Sequence, residues 1–393
     1  MRRVMKTTGI WLCLLMWILS SVNTVRASSA EEAEGKETAE KIQGDLLLKL
    51  DLEKMQKMVD EILGEDCFSV GESLKKLLQG EEALSKETVG SFLQSLFFSG
   101  IQQERDLFVK LILLVLAAAL LMNFTSVFEN GQAGDISFYL IYLLLFTLLA
   151  DSFFDAGNTL YQTISWMMEF MKALAPAYFI TVAAASGTAS AAAFYEGVLL
   201  LVWLFQWILL NVILPAVNLY ILLCLVNHIS REEMLGKLSD LLAVMTGWGL
   251  KTLLGTAAGL QIVRSLTAPA MDSLKRSLIG RAASSLPAVG NAVNTVTELV
   301  LASAVLVRNC LGIVILIVLL MAGAGPVIHY GILSFVYRFL AAAAQPVSDR
   351  RIVECLSTMG EGYGLFLKVL FTAEVLCILT FLIVMAGVRG GGI

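Results

Sequence analysis

Residues 255–301, GTAAGLQIVRSLTAPAMDSLKRSLIGRAASSLPAVGNAVNTVTELVL, decide how the chain is read. They lie between two long apolar segments, and they fit neither a loop nor a membrane span. A loop would be more polar. A span would not carry Arg264, Asp272, Lys275, Arg276 and Arg281. Pro269 and Pro287 interrupt the stretch, and Gly280, Gly290, Asn291 and Glu298 complete its unusual composition. From Ala270 a helix places Ala270, Met271, Leu274 and Leu278 on one face. Asp272 and Arg276 then stand four residues apart on the other, acidic residue first, with Lys275 beside them. This pattern suits an amphipathic helix in the bilayer interface, or one packed against neighbours at membrane depth. One Arg or Lys at a helix centre costs about 2.5–3.5 kcal/mol on insertion scales. The stretch is therefore expected to be helical without being a simple lipid-facing span.

Working outward, the whole chain has the composition of a membrane protein. Of its 393 residues 57% are hydrophobic and 16% charged, with a mean hydropathy of +0.77. Soluble domains carry roughly 25% charged residues. The reading is an all-α, polytopic integral membrane protein with a small extracytoplasmic helical amino-terminal domain. The net charge of -5 gives no footprint for nucleic acid. The six cysteines contain no Cys-x-x-Cys pair, and His228 and His329 are isolated. Neither a disulfide framework nor a metal site is expected, and no cofactor is implied.

Residues 1–30 read as a secretory signal peptide, with Arg2, Arg3 and Lys6 before a short apolar core and small residues from Ala27 to Ala30. Residues 31–106 are charged. There Leu48, Leu52, Met55, Val59 and Ile62 form a heptad-like stripe that Gly64 and Gly71 are expected to end. Residues 107–393 form the polytopic domain, because about 20 apolar residues cross the hydrocarbon core. Clear spans are read at about 107–128, 137–154, 197–226, 309–328 and 364–388. Segments 159–195 and 253–301 are read as re-entrant or amphipathic, and 228–251 as a charged loop with a helical pattern. Pro215, between Asn211 and Asn218, is expected to kink its span. Glu374 lies inside the last span, where carboxylates are functional candidates.

Charge gives the orientation. With the amino terminus outside, five spans put residues 228–309 in the cytoplasm. They carry Arg231, Lys237, Lys251, Arg264, Lys275, Arg276, Arg281 and Arg308, whereas 155–196 carry only Lys172. No phosphate-binding loop is present; Gly247-Trp-Gly-Leu-Lys-Thr252 lacks the adjacent Gly-Lys. There is no His-Glu-x-x-His and no Gly-x-Ser-x-Gly. The chain is not read as an enzyme, no catalytic residue is assigned, and any transport must be driven by a partner or a gradient.

Ala268-Pro-Ala-Met-Asp272, Lys275-Arg276-Ser277, Ile279-Gly280, Leu286-Pro-Ala-Val-Gly-Asn-Ala-Val293 and Thr297-Glu298 form a string that hydropathy alone does not explain. On these residues the chain resembles the stage III sporulation protein AE family. The resemblance implies a multi-pass protein of the mother-cell membrane around the forespore. It implies a subunit of a channel or secretion-like complex linking mother cell and forespore, as a pore or export-gate component. The implied partners are sister membrane, ring-forming and ATPase proteins, a forespore-side protein reached through the complex, the lipid bilayer, and in one arrangement further copies of the chain as a homo-oligomer. No catalytic residue carries over. Residues Arg264, Pro269, Asp272, Lys275, Arg276, Gly280, Arg281, Pro287, Gly290, Asn291 and Glu298 are the gating or assembly candidates. A stand-alone secondary transporter, which would show paired broken helices, and a membrane scaffold are the alternatives.

Overall fold

The structure is a computed structural model that describes residues 44, 52–64, 67–81, 86–103, 105–125, 131–186, 188–228, 235–283, 290–346 and 348–386. The signal-peptide reading and Leu48 lie outside them. Among the described residues every extended element is helical. They are α1 (Leu52–Leu63), α2 (Val70–Leu78), α3 (Lys86–Gln103), α4 (Arg105–Thr125), α5 (Gly131–Ser186), α6 (Thr188–Ile208), a π-helical turn (Leu209–Ile213), α7 (Leu214–Asn227), α8 (Gly236–Ala283), α9 (Gly290–Ala344) and α10 (Arg350–Ala386). Five stretches are long and apolar enough to cross a membrane: Tyr142–Pro176, Leu199–Asn227, Gly236–Ile262, Ala302–Ala344 and Arg350–Leu382. The polytopic all-α class follows. A shorter apolar helical stretch covers Phe108–Ala117.

The amino-terminal helices follow from their stripe. Met55 and Val59 are buried, and Leu52 and Ile62 pack beside them. Gly64 ends α1 in the left-handed conformation at φ 90°, as a glycine past a helix end does. Gly71 breaks nothing; it sits in the first turn of α2, behind the cap at Ser69, whose hydroxyl accepts from the Glu72 N–H at 3.3 Å. Gln56 ties the two helices, donating to Phe68 O at 2.9 Å and accepting from Val70 N at 2.8 Å. On the outer side Lys76 bonds Glu72 at 2.8 Å, lowering the carboxyl's pKa and raising its own; both are solvated, so the pair contributes little stability. These helices share one core with the bundle. Trp166 of α5 donates to Met58 O at 3.1 Å, and Gly325 and Ile332 of α9 meet Leu96 and Gly100 of α3.

α9 and α10 form an antiparallel hairpin: Ser334 meets Gly360 and Gly323 meets Glu374. α5 runs parallel to α10, with Tyr142 at Cys355 and Met168 at Cys377. α6 and α7 return antiparallel to α5, with Lys172 donating to Gln206 at 2.7 Å and Gly157 against Asn218. The hairpin is the inner layer. Of its most apolar windows 72% and 67% are buried, against 22% to 39% for the other three. Its hydropathy therefore serves protein packing, and the outer helices carry the exposed apolar faces.

The path through 228–309 differs from the sequence reading. Only 229–234, between α7 and α8, lie outside the described residues there before α8 begins. The part of 228–251 read as a charged loop is helical from Gly236, and Gly236–Ile262 is apolar enough to cross. This helix carries the chain about 40 Å, at about 1.5 Å per residue. His228 and Lys237 thus lie at one end of the bundle, while Arg264 and the start of α9 lie towards the other. Lys237, Asp240 and Lys251, the charges within Gly236–Ile262, lower its mean hydropathy. At the other reading, 159–195, α5 continues as one helix to Ser186 with Pro176 inside it.

Candidate functional site

The close-packed centre of the hairpin begins with small residues on α10. Gly360 and Gly362 are two positions apart, so they face about 200° apart at about 100° per residue. A Cβ on Gly360 would lie 2.6 Å from Arg338 Cγ and 3.2 and 3.3 Å from the α9 backbone at Arg338 N and Ser334 O. A Cβ on Gly362 would lie 2.6 Å from Phe153 of α5 and 2.9 Å from Ile221 of α7. One helix thus touches α9 on one side and α5 and α7 on the other, because neither glycine holds them away. Such contact through small residues is how helices approach closely in bilayers.

Polar groups fix the register around this crossing. Ser334 Oγ donates to Gly360 O at 2.6 Å, and Arg338 Nε reaches the same carbonyl at 3.4 Å. Tyr330 donates to Ala156 O at 2.9 Å, and Tyr363 bonds Ser152 at 3.0 Å. Their rings pack with Phe153, Tyr337 and Phe366, the Phe153–Phe366 pair stacked at 4.4 Å. Towards the His228 end, Tyr142 donates to Leu225 O at 3.0 Å and lies 2.7 Å from Cys355 Sγ. Next to it His228 Nε2 bonds Thr358 Oγ1 at 3.0 Å, and His228 Nδ1 lies 3.5 Å from Glu354, which Arg350 grips at 2.6 Å. Buried tyrosine hydroxyls keep such partners because an unmade bond costs the desolvation of the group. Tyr142→Phe is expected to cost about 1 kcal/mol and to loosen α5 from α7 and α10, read as a lower melting temperature of purified protein.

Glu374 lies at the opposite half of the seam. It is 1% exposed, and Gly323 of α9 faces it so closely that a Cβ there would be 2.6 Å from its carboxyl. Among the described residues it and Arg308 are the buried residues of charged type. A carboxyl group buried within a span is a candidate functional position. Cys377, one turn on, points its thiol at Met168 Sδ at 3.8 Å. The five described cysteines, Cys67, Cys224, Cys310, Cys355 and Cys377, are free. No three His, Cys, Asp or Glu side chains among the described residues form a metal-holding group.

The candidates from the sequence fall elsewhere. Arg264, Pro269, Asp272, Lys275, Arg276, Gly280 and Arg281 lie on the helical backbone of α8, which continues through Pro269, and Gly290, Asn291 and Glu298 open α9. Pro287 lies outside the described residues, as do the side chains of 263–301, and with them the Asp272–Arg276 pairing. The structure instead sets Gly360 against Ser334 and Arg338, Gly362 against Phe153 and Ile221, and Gly323 against Glu374. The available sequence signal was Gly360-x-Gly362 within an apolar helix, a spacing that sets two faces rather than one.

A sequence profile for the stage III sporulation protein AE family matches residues 68–387. The chain is also 25% identical over 341 residues to the stage III sporulation protein AE of Bacillus subtilis (strain 168), covering 85% of this chain and 86% of that protein. No solved structure matches. The matched residues take in α2 to α10, and the chain belongs to the stage III sporulation protein AE family, a family of sporulation proteins.

Proposed function

We propose that this protein is the polytopic membrane subunit of a channel or secretion-like apparatus linking mother cell and forespore, in which it is a pore or export-gate component. The observation that carries the reading is the enclosed α9–α10 hairpin: its windows are apolar enough to span, yet 72% and 67% buried inside the fold. A stand-alone helix pair in lipid has no need of that shielding. An inner hairpin surrounded by helices with exposed apolar faces suits a platform on which other subunits assemble. By this reading the membrane is the mother-cell membrane around the forespore, and the partners are the sister membrane, ring-forming and ATPase proteins, with a forespore-side protein beyond. The sequence shows no phosphate-binding loop, and by this reading such a partner or an ion gradient supplies the driving force.

One observation favours a second reading. The buried Glu374 against Gly323 is the kind of group that couples ion movement in a secondary transporter. Purified protein in liposomes separates the two. Solute exchange by the chain alone supports the transporter, and exchange that needs the sister proteins supports the platform.

The 263–301 region supplies the assembly test. Arg276→Ala is expected to leave membrane abundance near normal while lowering co-purification with sister proteins and spore yield. If Asp272 and Arg276 pair against a partner helix, removing one charge strands the other at about 3–5 kcal/mol, so Asp272→Ala with Arg276→Ala is the milder variant. Exposed at the interface, the pair is worth about 0–1 kcal/mol. Normal co-purification and spore yield in both variants would return the stretch to a plain amphipathic connector.

A further inference from the structure

We infer that the outward face of α6 and α7 centred on Asn211 is the surface through which two copies of this chain associate in the membrane. The span Leu199–Asn227 carries no Asp, Glu, Lys or Arg. Besides Tyr220 and the indoles of Trp203 and Trp207, its polar side chains are four amides, and three of the amides turn to the fold. Gln206 accepts from Lys172 at 2.7 Å. Asn218 lies against Gly157 of α5. Asn227 accepts from Leu235 N at 3.2 Å. Asn211 is exposed, and it sits close to the middle of the span, the depth at which a polar group on lipid is most costly.

The backbone there is irregular as well. Asn211 lies in the π-helical turn Leu209–Ile213, and Pro215, also exposed, supplies no N–H to the turn before it. Single π turns in long helices recur at functional positions. Asn211 Nδ2 donates one N–H to Trp207 O at 3.1 Å, which leaves the second N–H and Oδ1 at the surface. Around it Trp203 and Trp207 are 58% and 50% exposed. Together with Leu200 they form a stripe at helical spacing.

The occupant follows from the chemistry. A carboxamide is both donor and acceptor, so two copies related by a two-fold axis satisfy each other, the self-complementary contact of an isologous pair. A face without charge offers nothing to select a partner of opposite charge. Interhelical side-chain hydrogen bonds of this type hold membrane helices together.

The test uses two full-length copies with different tags, co-expressed and recovered from membranes, then diluted in lipid vesicles. The purified chain suffices, so the result stands apart from whether the sporulation apparatus assembles. Wild type is expected to co-purify with itself. Asn211→Leu is expected to weaken self-association by about tenfold, the scale of one interhelical polar contact, and Asn211→Gln to retain it. Asn211 is exposed on the single chain, so leucine there does not threaten the fold, and an unchanged melting temperature checks this. Absence of self-association, self-association equal in wild type and Asn211→Leu, or an Asn211-dependent capture of a different membrane protein in place of a second copy, would each overturn the proposal.

Discussion

Gly360→Ala is expected to destabilise the protein by roughly 1–3 kcal/mol, the usual cost of adding a methylene to a filled core. The reason is that its new methyl would meet backbone. Arg338 N and Ser334 O of α9 stand 3.2 and 3.3 Å from the ideal Cβ, and main chain cannot swing aside as a side-chain tip can. The hairpin would have to part, losing the Ser334 and Arg338 hydrogen bonds to Gly360 O in the same movement. Gly197→Ala is the internal control. Nothing lies within 4 Å of its Cβ, so alanine there should be neutral or gain the ~0.5–1 kcal/mol of helix preference. Thermal denaturation of both variants in one detergent decides the matter. Equal melting temperatures would show that the crossing is looser than drawn.

Gly323→Ala is expected to be the second large effect, and Glu374 to be its cause. The added methyl would fall 2.6–2.7 Å from the carboxyl carbon and both oxygens. The carboxyl then has to leave a site that is 1% exposed, at about 1–3 kcal/mol. Removing the carboxyl should remove the clash, so Glu374→Ala with Gly323→Ala should be more stable than Gly323→Ala with Glu374 intact. A coupling of about 0.5–3 kcal/mol is the range for residues in contact. Additive losses would place the two side chains apart. Glu374→Gln keeps the shape and removes the ionisable group. Loss of spore yield in a stably folded Glu374→Gln protein would assign Glu374 a role beyond packing, and full yield would leave it as filler of the seam.

These two positions show where reading the chain succeeds. Composition and hydropathy are sums over residues, so they identified a polytopic helical membrane protein. They also located the apolar material at 137–154, 197–226, 309–328 and 364–388, each of which falls within or overlaps a long helix. The stripe of Met55, Val59 and Ile62 foretold α1, because a helical period survives in the sequence whatever the partner.

Hydropathy says nothing of what an apolar surface faces. Lipid tails and leucine side chains are alike to it, so the sequence could not tell the enclosed hairpin of α9 and α10 from the largely exposed Gly236–Ile262 of α8. Nor does a hydropathy average single out Gly236–Ile262, because Lys237, Asp240 and Lys251 lower it. Glu374 was visible as a carboxylate in a span, but its partner Gly323 is 51 positions earlier in the chain, and only the antiparallel register of the hairpin joins them. The same holds for Gly360, Ser334 and Arg338. Local pattern determined that these residues are helical; which backbone fills the space left by a missing side chain is settled by tertiary packing alone, because close approach is a property of two helices and is encoded in neither one.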